Sequence, residues 1–131
     1  VMSSVFSKII DGIIPCYKIA ENDSFLAFLD IQPLVQGHAL VIPKKEIDYI
    51  FDLDDSTLKE MMVFSKLVAA KIKSAFPCNR IGVSVIGLEV PHAHIHLVPI
   101  NDIDDMNFSK PKLDLSKTEM LAIQEQIIKQ G

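Results

Sequence analysis

Apolar residues recur along this 131-residue chain with two periods, and each change of period marks an element. Phe6, Ile9 and Ile10 stand at helical spacing in Val5–Ile10, a short segment stopped by Asp11-Gly12. Residues 17–20 and 25–29 read as strands joined by the polar turn Glu21-Asn22-Asp23-Ser24. After a loop at 33–37, His38-Ala39-Leu40-Val41-Ile42 reads as a buried strand ended by Pro43. Thr57 and Glu60 fit a capping box, from which a long helix should run to Phe76 and stop at Pro77. Its inner face is expected to carry Leu58, Met61, Met62, Val68, Ile72 and Ala75, with Phe64 and Leu67 beside it. Residues 81–86 read as another buried strand, and Gly87-Leu88-Glu89-Val90 as a link. Residues 101–111 read as a polar loop. Ser116 and Glu119 repeat the capping box before an amphipathic helix bearing Leu121, Ile123, Ile127 and Ile128 and reaching Gln130. Strands and helices in this arrangement give an α+β domain.

Between the last strand and the loop lies Pro91-His92-Ala93-His94-Ile95-His96-Leu97-Val98-Pro99, which holds three of the chain's four histidines. Imidazole and apolar residues alternate, so the run reads as a strand with one face in the core. His92, His94 and His96 then share the other face, roughly 6.5–7 Å apart. The row admits a phosphate site with a histidine nucleophile, a metal site, or a core strand whose histidines merely find partners. Desolvating three imidazoles without a task is costly, which favours the first two.

Composition narrows the classes. A chain of this length forms one domain, expected over 2–131, and buries about two thirds of its unfolded surface. With 49% hydrophobic residues it is not a disordered chain, and a net charge of −4 argues against nucleic acid or an anionic membrane as partner. Cys16 and Cys78 make no CxxC and no disulfide framework and read as reduced thiols, so a cytoplasmic protein is expected. No apolar run is of membrane-spanning length, and no basic segment precedes a long apolar one as in a secretory signal. Val1 ahead of Met2 reads as a remnant of expression.

His92-Ala93-His94-Ile95-His96-Leu97-Val98 fits the pattern His-φ-His-φ-His-φ-φ, with φ apolar, and resembles the histidine triad (HIT) superfamily. Phe6-Ser7-Lys8-Ile9-Ile10, Ile14-Pro15, Phe25-Leu26-Ala27-Phe28-Leu29-Asp30-Ile31 and Gly37-His38-Ala39-Leu40-Val41-Ile42-Pro43-Lys44-Lys45 resemble its Hint-like branch, in order, over about 5–99. The resemblance implies a HIT-like fold: an antiparallel sheet of about five strands, one long helix, and a homodimer joining two sheets. It implies a purine nucleotide as substrate or AMP as product. Phe6, Ile9, Ile14 and Ile31 would line the base cleft, and Asp30 would accept the ribose hydroxyls. His94 would attack the α-phosphorus of a nucleoside phosphoramidate or other AMP conjugate, giving a nucleotidyl-histidine that water hydrolyses. His92 would orient His94 through its backbone carbonyl, and His96 and His38 would hold phosphoryl oxygens or adjoining groups. The segment 101–131 lies beyond the match, and its helix is expected at a dimer edge or at the rim of a neighbour's site.

Two departures from the family pattern stand out. The loop before the triad is short. Gly87 still allows backbone amides near a phosphate, but Leu88 replaces the usual glutamine and Glu89 the small hydroxyl residue. Glu89 is expected to take over leaving-group or ribose contacts, as an acid toward a departing amine. Where many bacterial relatives carry a zinc-binding CxxC, this chain has Ser4 and Ser7, with Glu46 in place of a helpful histidine. No metal and no cofactor, Mg²⁺ included, are expected. The alternatives are a dinucleoside polyphosphate hydrolase using the same triad, a non-catalytic nucleotide-binding or interaction protein, and a metal hydrolase. Against the last, Val98 stands where an HxHxDH site needs Asp.

Overall fold

A computed structural model describes residues 4–130, so the readings of Val1 and Met2 lie outside the described residues. The elements are α1 (Val5–Ile10), β1 (Lys18–Glu21), β2 (Phe25–Leu29), β3 (Ala39–Pro43), α2 (Asp55–Ala75), β4 (Arg80–Ser84), β5 (Ile95–Ile100) and α3 (Lys117–Ile128). Short 3-10 turns lie at Ile50–Asp52 and Ile103–Met106. The strands form one antiparallel sheet in the order β1-β2-β3-β5-β4.

Both faces of the central strands are covered, which is why β2 and β3 are apolar at every position rather than alternating. Phe25, Ala27, Leu29, Ala39, Val41, Ile95 and Leu97 face α2 and α3. Leu26, Phe28, Leu40 and Ile42 face α1 through Phe6. Leu40 pairs with His96 across β3 and β5, so His96 joins the α1 side of the sheet. The long helix thus secures one face, and the short helix bounds a cleft on the other.

Several sequence expectations need correction. The α2 cap is Asp54, whose Oδ1 accepts the Thr57 amide at 2.7 Å, so the helix starts at Asp55 rather than after Thr57. Its buried stripe is Met61, Phe64, Ser65, Val68, Ile72 and Ala75. Met62 and Leu67 are exposed, because a 3.6-residue period carries them off that stripe. Ser65 is tolerated inside because its hydroxyl donates to the Met61 carbonyl. β4 is an edge strand and only partly covered, not buried. The loop 101–111 contains a capped 3-10 turn. Helix α3 packs Met120, Ile123 and Ile127 against its own chain, while Leu121 and Ile128 stay exposed.

The triad strand also begins later than its alternation implies. Pro91-His92-Ala93-His94 precedes β5, and only His96 lies within the ladder. The reason is where its backbone bonds go. The His92 amide turns back to the Val90 carbonyl and the Ala93 amide reaches Ile47, so neither pairs with β3 or β4.

Candidate active site

Four segments converge on the α1 side of the sheet. Ser4 caps α1 by accepting the Ser7 amide, which fixes Phe6 beneath the triad. The Phe6 ring stands edge-on to His94 at 5.0 Å and to His92 at 5.8 Å. The turn after β2 delivers His38. Gly37 there takes φ +93°, and a Cβ would come within 3.2 Å of Phe76 and Pro99. Asp30, at the end of β2, holds the same turn through its Oδ1 bond to the Gln32 amide.

The hydrogen bonds fix which nitrogen of each ring carries the proton. The Leu34 amide donates to His38 Nδ1, so His38 carries its hydrogen on Nε2. That N–H donates to His96 Nδ1 at 2.9 Å, with Asp30 Oδ2 a longer 3.5 Å away. The neutral His96 ring therefore carries its own hydrogen on Nε2. The Pro43 carbonyl can only accept, so His92 Nε2 donates to it, and His92 Nδ1 accepts from the Ser4 hydroxyl at 2.9 Å. His94 Nδ1 donates to the His92 carbonyl at 2.8 Å, which leaves the His94 Nε2 lone pair unused among the described residues. The outcome is a free lone pair on His94 beside an N–H donor on His96, ring centroids 5.0 Å apart.

Burial keeps the supporting rings neutral. Desolvation, then the neighbouring His96, holds His38 down at about 3. Desolvation and His94 hold His96 at about 4. His92 is lowered by burial, and Asp30 is raised by it. The His38–Asp30 contact is thus one of a neutral imidazole, not an ion pair.

A cavity of about 430 Å³ opens onto this arrangement. Phe6, Ile9, Ile14, Asp30, Ile31, His38, Gly87, Leu88, Glu89, His94 and His96, all singled out in the sequence, line it. Ile31 and Leu88 are exposed residues of its wall. Gly87 takes φ +74°, which the bend before the triad requires. His92 does not line the cavity, contrary to the expectation of a three-ring row on one face. Its ring is fully buried between Ser4 and Pro43 because it precedes the strand, and only its carbonyl acts toward His94. The sequence reading also missed Phe108 and Lys112, which complete the wall. The one cue was Phe108, the single aromatic residue of a mostly polar loop.

Two groups bear on metal binding. Ser4, Ser7, Glu46 and His92 meet where the resemblance implies zinc in relatives. There Glu46 Oε1 accepts from the Ser4 amide at 2.7 Å and the Ser7 hydroxyl at 2.6 Å. Hydroxyls already satisfied by a carboxylate and an imidazole do not fit zinc, whose structural sites take thiolates and imidazoles. Asp30, His38 and His96 also bring ligand-type atoms within 4.8 Å of one another. The two imidazole nitrogens are joined by a hydrogen bond, so a cation would have to displace that proton.

A family model for the HIT domain matches residues 11–103. The chain belongs to the HIT family. Among HIT relatives it is 34% identical to the adenosine 5'-monophosphoramidase of Schizosaccharomyces pombe over 128 residues, 96% of each chain. Among solved HIT structures, a Hit-like protein involved in cell-cycle regulation from Bartonella henselae superposes with a TM-score of 0.84 at 27% identity, covering 96% of this chain and 94% of that one. A hypothetical histidine triad nucleotide-binding protein from Sulfolobus tokodaii superposes with a TM-score of 0.81 at 30% identity, covering 95% and 89%. The α+β architecture with its five-stranded antiparallel sheet is the HIT fold, and hydrolase chemistry on nucleotides is supported at the level of the family.

Proposed function

We propose that this HIT protein hydrolyses nucleoside phosphoramidates or other AMP conjugates through a nucleotidyl-histidine. The observation that carries the reading is the pairing of a free His94 Nε2 lone pair with a His96 N–H at one cavity. The lone pair attacks the α-phosphorus, and the bond to the leaving group breaks with its electron pair on the departing nitrogen or oxygen. Glu89, on the cavity wall, is the group that would give that atom a proton. Water then attacks phosphorus, the N–P bond breaks, and AMP leaves. His96 donates to the phosphoryl oxygen where charge develops, and His38 holds the tautomer of His96. His92 acts through its carbonyl, which keeps the His94 hydrogen on Nδ1.

Phe6, Ile9, Ile14 and Ile31 supply apolar surface for a purine, and Asp30 is positioned for ribose hydroxyls. No metal or cofactor is part of the mechanism, and neither nucleic acid nor a membrane is a partner. Among the described residues no helix is long and apolar enough to cross a membrane. Cytoplasmic residence belongs to the same reading, supported by the free thiols of Cys16 and Cys78. So does a homodimer, supported by the unpaired edge of β4 and the exposed Val83, Val85, Ile86, Tyr49 and Phe51 near it.

The test is rapid quenching after mixing with adenosine phosphoramidate labelled in the AMP moiety. Wild type should release AMP and show label on the protein, and His94→Ala should do neither. AMP release without any trapped label, undiminished in His94→Ala, would refute the covalent route. Release of AMP from a dinucleoside polyphosphate with none from the phosphoramidate would replace the substrate assignment.

A further inference from the structure

The segment after β5 supplies Phe108 and Lys112 to the cavity wall and is fastened at two points. Met106 lies over Gly82 of β4, where a Cβ would come 2.9 Å from its sulfur. Farther along, the Leu113 amide donates to the Pro33 carbonyl at 2.9 Å, tying the segment to the turn that delivers His38. Between these points Phe108 stands edge-on to His96 at 4.8 Å and to His38 at 6.1 Å. The Lys112 ammonium donates to the carbonyls of Phe108 at 2.6 Å and Lys110 at 3.1 Å. An ammonium has three donors, so one remains for another acceptor.

The charge balance of the cavity gives that donor a purpose. A nucleotide substrate brings at least one negative charge. The wall it meets already holds one carboxylate, Asp30, beside the acid Glu89, and the chain as a whole carries −4. His38 and His96 are desolvated rings that donate hydrogen bonds without positive charge. Among the described residues lining the cavity, Lys112 is the one lysine or arginine. Its attachment to two carbonyls of its own segment removes much of the flexibility of a surface lysine, and with it the entropy lost on binding.

We propose that Lys112 is a specificity-determining residue of this site, taking a phosphoryl negative charge of the nucleotide. Phe108 and the Leu113–Pro33 bond hold its segment in place. The proposal rests on the nucleotide reading above and deepens it. It assigns a substrate-binding role to the segment 107–113, beyond the match to the HIT domain, and makes the site discriminate nucleotide from nucleoside.

The experiment is calorimetric titration of wild type, Lys112→Gln and Lys112→Arg with AMP and, separately, with adenosine, at low and high salt. In Lys112→Gln, AMP should bind about tenfold more weakly while adenosine is unchanged, as expected for loss of one charge-assisted contact. Lys112→Arg should keep most of the preference for AMP, and added salt should narrow the gap in wild type more than in Lys112→Gln. Equal AMP affinity in wild type and Lys112→Gln would overturn the proposal. So would equal weakening of both ligands, which marks a structural role. Wild-type protein that binds neither ligand overturns the nucleotide reading itself, and the proposal with it.

Discussion

The Ser4 hydroxyl is a small group with two partners. It caps α1, and it donates to His92, whose carbonyl orients His94. Ser4→Ala strands a buried imidazole nitrogen and removes a helix cap. We expect a loss of about 1–3 kcal/mol in denaturant unfolding, with a lower kcat because the His94 ring loses its reference. Gly37→Ala should also destabilise by about 1–3 kcal/mol, since alanine must enter a left-handed backbone and press on Phe76 and Pro99. Displacement of the adjacent His38 should lower activity in the same variant. Glu89→Gln separates chemistry from binding. Turnover of a conjugate with a poor amine leaving group should fall by tenfold or more, while one with a good aryl leaving group barely changes. Equal slowing of the two would refute the acid role.

Among the elements, α2 shows how far pattern reading reaches. Its existence and its end at Phe76 follow from periodicity and Pro77. Its start does not, because Asp54 and Thr57 can each cap, and only the observed Asp54–Thr57 bond decides between them. Asp54→Ala should lower the midpoint of thermal or denaturant unfolding, and Thr57→Ala much less. The segment before β5 fails in a different way. Its alternation was legible and its pairing was not, since period two says nothing about where amides find partners. The Val90 and Ile47 carbonyls took those of His92 and Ala93, and the His92 ring consequently turned into the core instead of the cavity.

For the molecule as a whole, several imidazoles in one low-dielectric cluster couple stability to pH. His38 and His96 titrate at about 3 and about 4 in the fold and at about 6.5 in an unfolded chain. Between those values the unfolded chain holds more protons, so stability falls as pH is lowered from about 6.5 toward 4 and is insensitive to these groups above 7. Asp30, raised by burial, opposes this only near the acid end. Melting temperatures measured from pH 7.5 to 4.5 should therefore drop, and His96→Gln should flatten the slope. The exposed apolar edge at β4 sets a second expectation. Sedimentation should find a dimer, and Val85→Glu should shift it toward monomer without abolishing the fold. A monomer in the wild type at micromolar concentration would remove the dimer from the functional reading.

The sequence by itself determined the elements, the α+β class and most of the cleft. Local periodicity and caps specify helices and strands, and His94, His96, His38 and Asp30 belong to short runs whose pattern is complete within a few residues. Tertiary structure decided what depends on partners far away in the chain. Ser4 meets His92 across 88 residues, and Phe108 and Lys112 reach the cavity on a segment tied to Pro33 through Leu113. Which ring nitrogen holds a proton and which imidazole faces the cavity follow from such long-range bonds. Burial then turns those choices into reactivity, since a desolvated ring keeps only the hydrogen its neighbours can hold.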